Sequence, residues 1–198
     1  MSTTGAVAEI LVAGLLALFW LFGVLSLVDR SETDKAVLFL SSPAGGVLVL
    51  ALSYQIGWIV NSVTYMIAKL VYFKQLLCQV EFTRETYESL KVEIYSNKAY
   101  EHLIRLLEQE TVVHRIARAG GLNFFMLACV GILKSKWRGS LEGEHLISLV
   151  PSVILLLLAA YSWRLAYNRH LRYFRLMESA RKVLNLQRPQ ELAKEDVK

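Results

Sequence analysis

Arg164 and His170 are the residues of this chain whose types and spacing come closest to catalytic chemistry. They are separated by the five residues Leu-Ala-Tyr-Asn-Arg. In such a pair the arginine can hold the negative charge of a phosphate while the histidine transfers a proton. Arginine and histidine are also common neighbours in basic helices at a membrane surface, so the pair is open to both interpretations.

Other catalytic and metal-binding signatures are missing from the sequence. It contains no Walker loop, nucleophile elbow, HExxH or CxxC motif. The four histidines are scattered, and His102 and His114 are 12 residues apart, which is not a metal-ligand spacing. Cys78 and Cys129 are the only cysteines, which excludes a disulfide scaffold. The sequence therefore predicts no metal and no cofactor.

A polar face runs along the second long apolar segment. Tyr54, Asn61 and Tyr65 are spaced by seven and four residues, so they share one side of a helix. Gln55 and Ser62 lie beside them. Polar side chains at membrane depth usually face a bundle interior or a water-filled cavity. We therefore expect these five residues to line a pore, with hydrogen bonding between packed helices as the alternative.

Glu9 is an acidic residue near the start of the first apolar segment. In an oligomer, the copies of this carboxylate would form an acidic ring that favours cations. Glu9 therefore joins the predicted pore-lining set. The alternative is that its side chain only reaches the membrane–water interface.

A basic face is predicted on the helix that leaves the fourth apolar segment. Residues 164–177 contain four arginines, one histidine and no acid. At 3.6 residues per turn, Arg164, Arg172 and Arg175 fall within about 80° of one another, and Arg169 lies further round. Such a face can bind anionic lipid or another anionic ligand. The predicted ligand- or lipid-binding set is Arg164, Arg169, His170, Arg172 and Arg175, with Arg115 and Arg118 before the third segment.

The apolar segments decide the class of protein. Of the 198 residues, 55% are hydrophobic and 20% are charged, and the mean hydropathy is +0.39. About 20 helical residues cross a hydrocarbon core of about 30 Å, and basic and aromatic flanks anchor a shorter run. Four segments without Asp, Glu, Lys, Arg or His fit these lengths, at 10–28, 36–68, 119–133 and 146–163. A soluble monomer is thereby excluded.

The predicted fold is an all-α membrane protein with four transmembrane helices. The 33-residue run 36–68 is too long for one straight span. Ser42-Pro43 divides it, because serine caps a helix and proline fits its first turn. The first hairpin occupies 1–68 and the second 119–163, with spans at 8–28, 43–68, 119–135 and 146–163.

Basic residues predict the orientation. Residues 69–118 hold eight of the 22 lysines and arginines, and residues 164–198 hold nine. Four spans place these two segments on one side of the membrane, and the positive-inside rule makes that side cytoplasmic. We therefore expect a multi-pass membrane protein with both termini in the cytoplasm.

Two segments are predicted to lie in the cytoplasm. Residues 69–118 form a small, mainly helical module. Residues 89–95 alternate between apolar and polar side chains, which is the period of a β-strand. We nevertheless expect a helix there, because no clear partner strand exists beyond 79–83, and a short β-hairpin with 79–83 is the alternative. Residues 164–186 continue the fourth span as a basic helix. Pro189 is expected to end this helix, and residues 187–198 are predicted to be a disordered tail.

Three short stretches carry a resemblance to a known group of proteins. They are Ser41-Ser42-Pro43-Ala44-Gly45-Gly46, His114-Arg115-x-x-Arg118-Ala119-Gly120-Gly121, and the Arg/His-rich exit of the fourth span. With the four-span layout, they resemble the small membrane subunits of bacterial antiphage defence systems. This resemblance implies a location in the bacterial inner membrane. The resemblance to Hailong-type systems implies an ion channel gated by an oligonucleotide. The resemblance to Kiwa-type systems implies an oligomeric membrane sensor that holds a soluble DNA-binding partner.

The spacing of Arg164 and His170 is similar to the R-x(4–6)-H motif of the higher-eukaryote-and-prokaryote nucleotide-binding (HEPN) ribonucleases. This resemblance implies an enzyme that cleaves RNA. Leu165 departs from the family pattern, which usually has a polar residue after the arginine. This departure puts the ribonuclease interpretation in doubt.

The sequence thus predicts a non-enzymatic, oligomeric membrane effector that alters permeability on a cytoplasmic signal such as an oligonucleotide. A tetramer is the expected assembly, because four short spans cannot enclose a useful pore alone and identical chains close by rotation. Membrane lipids are further expected partners. A membrane sensor or scaffold that recruits a cytoplasmic DNA-binding protein is the second hypothesis, and a HEPN-like ribonuclease is the third.

Overall fold

The protein is described over most of its length, as a set of helices, by a computed structural model. The described residues are 3–28, 35, 38, 42–79, 83–97, 100–137 and 144–195. Side-chain surroundings are described there except at 3–6, 74, 78, 84, 136–137, 144–148 and 184–195. The helices are α1 (Thr3–Val28), α2 (Pro43–Ala68), α3 (Lys74–Gln79), α4 (Arg84–Ser96), α5 (Glu101–Trp137) and α6 (Glu144–Glu195). A π-helical segment, Lys69–Phe73, joins α2 to α3.

Four stretches of helix in the described chain are long and apolar enough to cross a membrane. They are Val7–Val28, Pro43–Phe73, Glu101–Ser135 and Leu149–Val183. Each predicted span falls on one of these stretches. The prediction of an all-helical fold with four helices that could cross a membrane is therefore confirmed for the described residues.

The second helix begins where the sequence predicts. The hydroxyl oxygen of Ser42 accepts a hydrogen bond from the backbone N–H of Gly45 at 3.1 Å, and Pro43 occupies the first helical turn. The serine thus satisfies one of the backbone donors that a helix start leaves without a partner. The division of the long apolar run at Ser42-Pro43 is confirmed.

Glycines allow α1 and α2 to pack closely. A Cβ atom at Gly14 would overlap the backbone of Ser53, and one at Gly57 would overlap the carbonyl group of Ile10. Small residues bring membrane helices close enough for extensive dispersion contacts. Ser53 and Gly57 therefore form a packing surface against α1, which adjoins the predicted polar face because Gly57 and Asn61 are about one turn apart.

Asn123 joins α5 to α1. Its side-chain Nδ2 donates to the carbonyl oxygen of Ala13 at 2.8 Å, and its Oδ1 accepts from Nε1 of Trp20 at 3.1 Å. Asn123 is fully buried, and both ends of its amide are paired, as a polar group inside a bundle requires. On another side, α5 packs along α6, where the Gly121 position lies against the Trp163 ring.

A hydrophobic cluster, separate from the contacts between the apolar helices described above, lies at one end of the spans. We name it the second core. It joins the continuation of α2 to α4, α5 and α6, and its fully buried members include Leu76, Ile94, Leu107, Phe174 and Met177. Within it, α4 is a helix of 13 residues that Thr83 caps. The helical interpretation of 89–95 is therefore confirmed, and no strand occurs in the described ranges.

Two helices are too long to lie wholly in a bilayer. At a rise of 1.5 Å per residue, the 52 residues of α6 have a length of about 78 Å. The 37 residues of α5 have a length of about 55 Å. The hydrocarbon core of a bilayer is only about 30 Å thick. The predicted boundaries after residues 118 and 163 therefore lie inside continuous helices. The backbone of α6 also passes Pro189 and stays helical to Glu195, where the sequence predicts disorder. Proline removes one hydrogen bond but keeps a helical φ, so the helix need not end there.

The helix ends around the second core form what we name the basal end of the bundle. Contacts bring the start of α1, the end of α2, the first half of α5 and the exit of α6 together there. The N-terminal end of α1 and the later part of α6 therefore lie at the same end. That this end faces the cytoplasm stays a prediction from the basic residues.

Candidate functional site

Arg118 lies at the centre of the basal end and is only 3% exposed. Its Nε donates to the hydroxyl oxygen of Thr64 at 3.2 Å, and a terminal nitrogen lies 3.5 Å from the carbonyl oxygen of Asn61. The guanidinium carbon is 5.5 Å from the centre of the Tyr65 ring, a distance at which a cation–π attraction operates. All these partners are neutral and come from α2.

Glu9 is paired with Arg115 inside one protomer. A carboxylate oxygen of Glu9 lies 3.1 Å from Nε of Arg115, and the Glu9 side chain is 3% exposed. This ion pair links α1 to α5 one turn from Arg118. The acidic group that the sequence assigns to a pore is therefore buried against a cation of its own chain.

A cavity of about 430 Å³, which we name the outer cavity, lies between α1, α2 and α5. It brings together six of the residues that the sequence singles out. Those residues are Glu9, Asn61, Ser62, Tyr65, Arg115 and Arg118. Trp58 and Met66, both mostly exposed, also border it. The outer cavity therefore reaches the outside of the single chain on the α2 side.

A second cavity of about 320 Å³, the inner cavity, lies on the other side of the same wall. Tyr65, Arg115 and Arg118 line both cavities. The inner cavity is otherwise bordered by the module and α6, through residues that include Lys91, Tyr95, Glu110, His114 and His170. Two arginines and a tyrosine thus separate a space beside the spans from a space within the second core.

Two histidines form an aromatic wall of the inner cavity. Nε2 of His114 is hydrogen-bonded to the hydroxyl group of Tyr72 at 2.9 Å. The His114 and His170 ring centres are 4.4 Å apart, and the His170 ring stacks on Phe174 at 5.0 Å with an interplanar angle of 11°. His170 therefore belongs to this aromatic wall rather than to the basic face with which the sequence groups it.

Two tyrosines of α4 border the inner cavity from the side of the module. Burial raises the pKa of Tyr95 to about 12, and burial also raises the pKa of Tyr87. Both phenols therefore keep their protons at neutral pH and act as hydrogen-bond donors. Tyr87 donates to the hydroxyl oxygen of Tyr173 on α6 at 3.4 Å, which joins the module to α6.

The predicted basic face is divided by an acidic residue. Glu110 of α5 lies 3.2 Å from Arg169 and 3.7 Å from Arg172, so part of the charge of α6 is neutralised within the chain. Arg164 and Arg175 are exposed, as is 63% of the Arg172 side chain. Of the predicted basic face, Arg164, Arg172 and Arg175 therefore point outward, while Arg169 faces α5.

The predicted polar face of α2 divides between the cavity and the outside of the bundle. Tyr54 is 39% and Tyr65 53% exposed, and Gln55 is exposed as well. The hydroxyl group of Ser62 donates to the carbonyl oxygen of Trp58 at 2.9 Å, so its polarity is satisfied within α2. Asn61 is half-buried, and its Oδ1 is buried without a hydrogen bond among the described residues.

Arg164 and His170 do not converge. His170 borders the inner cavity and Arg164 does not. A separation of six residues rotates two side chains by about 240° on an α-helix, which points them to different sides. The spacing that resembles a ribonuclease motif therefore does not bring its two residues to one cavity.

Sequence reasoning left Thr64, Tyr72 and Glu110 out of the candidate sets. Thr64 and Tyr72 lie on the buried side of α2 and its continuation, where they hold Arg118 and His114. One sequence feature could have indicated a buried partner for these two residues. His114 and Arg118 are four residues apart, which places both on one face of a helix, toward a common neighbour. Among the described residues, no group of three or more His, Cys, Asp or Glu side chains could hold a metal ion.

Comparisons of the chain with protein-family models, curated proteins and solved structures find no match. The functional argument therefore depends on the four candidate spans and on the geometry of the basal end.

Proposed function

We propose that the protein is a homo-oligomeric effector of the bacterial inner membrane that alters membrane permeability on a cytoplasmic signal. The observation that carries this proposal is the outward position of Tyr54, Gln55 and Tyr65 on a helix that is long and apolar enough to span. Hydrogen-bonding groups on a lipid-facing surface are costly, so they need water or another helix. In a ring of copies, this face of α2 would lie toward the shared axis.

The π segment supports a coupling between the basal end and the polar face. It directly follows α2, and its own Tyr72 and Leu76 of the following helix α3 are both buried in the second core. Departures from α-helical geometry within a helix often occur at functional sites. A signal that shifts the second core would therefore be transmitted to α2. The resemblance to antiphage defence subunits suggests an oligonucleotide as that signal.

Ion flux through reconstituted vesicles tests the proposal. In the presence of any activating ligand, Gln55→Leu should lower the flux while leaving the oligomer intact, because an apolar ring promotes dewetting of a pore. Ile59→Leu is the matched control, since Ile59 lies one turn away on α2 and is 54% exposed. Native mass measurement gives the number of chains. A monomer, or equal flux for both variants, would contradict the proposal.

A membrane scaffold that recruits a cytoplasmic DNA-binding protein is the second candidate. It is favoured by one observation: α4 exposes apolar side chains, with Val92 68% and Tyr95 41% exposed. If Gln55→Leu leaves function intact and Val92→Asp abolishes it without loss of insertion, the scaffold would be preferred. The ribonuclease hypothesis requires RNA cleavage that His170→Ala removes.

A further inference from the structure

Arg118 carries a buried charge without a counter-ion of its own. Among the described residues it takes part in no ion pair, and its contacts are the Thr64 hydroxyl, the Asn61 carbonyl and the Tyr65 ring. Neutral partners orient a guanidinium group but do not cancel its charge. Burying an ion is expensive unless an opposite charge accompanies it.

The nearby acid Glu9 compensates Arg118 only in part, because its charge interacts more strongly with Arg115 than with Arg118. Glu9 is directly paired with Arg115, and these two charges cancel. The three charged residues of the outer cavity, Glu9, Arg115 and Arg118, therefore leave one positive charge in excess. This excess lies at Arg118, on the wall that the two cavities share.

The outer cavity has the size and chemistry of an anion site. Its volume of about 430 Å³ is far larger than the roughly 30 Å³ share of one liquid water molecule. A guanidinium group offers several N–H donors in a planar fork that matches the oxygens of a phosphate. Tyr65 adds a phenol, and the exposed Trp58 and Met66 provide an apolar rim.

We propose that the outer cavity binds a phosphate ester, with the phosphate against Arg118 and the rest of the ligand along the rim of Trp58 and Met66. The phosphate belongs either to a lipid headgroup or to a soluble molecule. The proposal names a ligand class for the effector proposed above, but it requires no conductance. Its failure and the failure of the pore are therefore separate results.

Two probes distinguish the sources of the phosphate. Purified full-length protein in mild detergent is titrated with dioleoylphosphatidylglycerol, with dioleoylglycerol as the lipid without phosphate, and bound lipid is counted by native mass spectrometry. Inorganic phosphate is titrated separately by calorimetry. Binding of the phospholipid alone assigns the site to a headgroup. Binding of inorganic phosphate, with or without the phospholipid, assigns it to phosphate in general.

Variants of the cavity connect this binding to Arg118. Arg118→Gln should weaken binding of whichever probe the native protein binds by about tenfold or more, since a charge-assisted contact is lost. Arg105→Gln is the matched control, because Arg105 lies on the same helix with its side chain 74% exposed. It should bind like the native protein.

A second variant keeps the test valid if Arg118→Gln does not fold. Asn61→Asp is nearly isosteric, and its carboxylate would lie in the cavity beside Arg118, compensate the charge and repel the phosphate. It should abolish binding while retaining the native unfolding temperature or raising it. The proposal is overturned if the native protein binds neither probe, or if Asn61→Asp and Arg105→Gln bind equally.

Discussion

Asn123 and Arg118 show how two polar side chains of one helix are accommodated inside the bundle. Asn123 is neutral, and both ends of its amide have partners on α1. Arg118 is charged, and its partners on α2 are neutral. The first arrangement is complete within the chain, and the second calls for an anion. The two side chains are buried to a similar degree, but their partners differ. We therefore predict a structural role for Asn123 and a binding role for Arg118.

We expect Asn123→Leu to destabilise the fold. The change removes hydrogen bonds to Ala13 and Trp20, and interhelical hydrogen bonds in membrane proteins contribute about 0.6–2 kcal/mol. Equilibrium unfolding in mixed micelles measures the loss. Asn168→Leu is the control, since Asn168 is an exposed position of α6. An equal change in unfolding free energy for the two variants would contradict the structural role of Asn123.

At the scale of elements, the π segment has an identifiable cause in the sequence. The buried residues Val60, Thr64, Ala68, Tyr72 and Leu76 follow one another at intervals of four. In a regular α-helix, four such steps rotate the buried stripe by about 160° around the axis, which is too wide for one interface. A π turn takes more residues per turn, so it reduces this rotation. Lys69–Phe73 therefore keeps both parts of the helix facing the core.

Deleting Leu70 tests this account. The deletion removes one exposed residue from the π segment and shortens the step from Ala68 to Tyr72, so the stripe drifts by only about 60° in a regular helix. We expect the thermal unfolding midpoint, followed by circular dichroism in detergent, to stay close to the native value.

Deleting Ile59 is the control for the Leu70 deletion. Ile59 is also exposed, but it lies in the α-helical part of α2. Its removal turns Ser53 and Gly57 by about 100° relative to the residues that follow, away from α1. Folding should be lost. If the Leu70 deletion destabilises the protein as much as this one does, the π segment is not what aligns the two interfaces.

For the whole molecule, the main feature is the convergence of four chain segments at the basal end. The Glu9–Arg115 pair joins α1 to α5, Arg118 joins α5 to α2, and the second core joins α2 to α6. Each of the four candidate spans therefore has a contact at the basal end. This arrangement supports an effector in which the basal end receives a signal and the polar face of α2 responds.

The orientation of the whole molecule is testable by cysteine labelling in intact cells. Cys78 and Cys129 are first replaced by serine, and single cysteines are placed at Ser140 and Gln187. With the basal end in the cytoplasm, a membrane-impermeant reagent should label position 140 at once and position 187 only after permeabilisation. The opposite labelling pattern would reverse the topology and place the basal end outside the cytoplasm.

Much of the architecture could be predicted from the sequence because few backbone conformations are stable in membrane hydrocarbon. Only a helix satisfies every backbone group of an isolated segment in hydrocarbon, so apolar runs of sufficient length identify spans directly. Local rules are equally readable: Ser42 and Pro43 start α2 because capping depends on neighbouring residues alone. The continuation of α6 past residue 163 is predicted from the sequence as well, whereas the continuity of α5 through residue 118 is not readable from local rules.

The sequence by itself determined which segments are long and apolar enough to cross a membrane, where α2 begins, and that basic residues collect in two segments. Those properties follow from composition and from neighbours within a few residues. The tertiary structure decided that Glu9 pairs with Arg115, that His170 stacks in the aromatic wall, and that Arg118 lies buried between two cavities. Each of these contacts joins residues of different helices or depends on which face of a helix is covered. That choice depends on how the helices pack, and helical periodicity alone does not contain it.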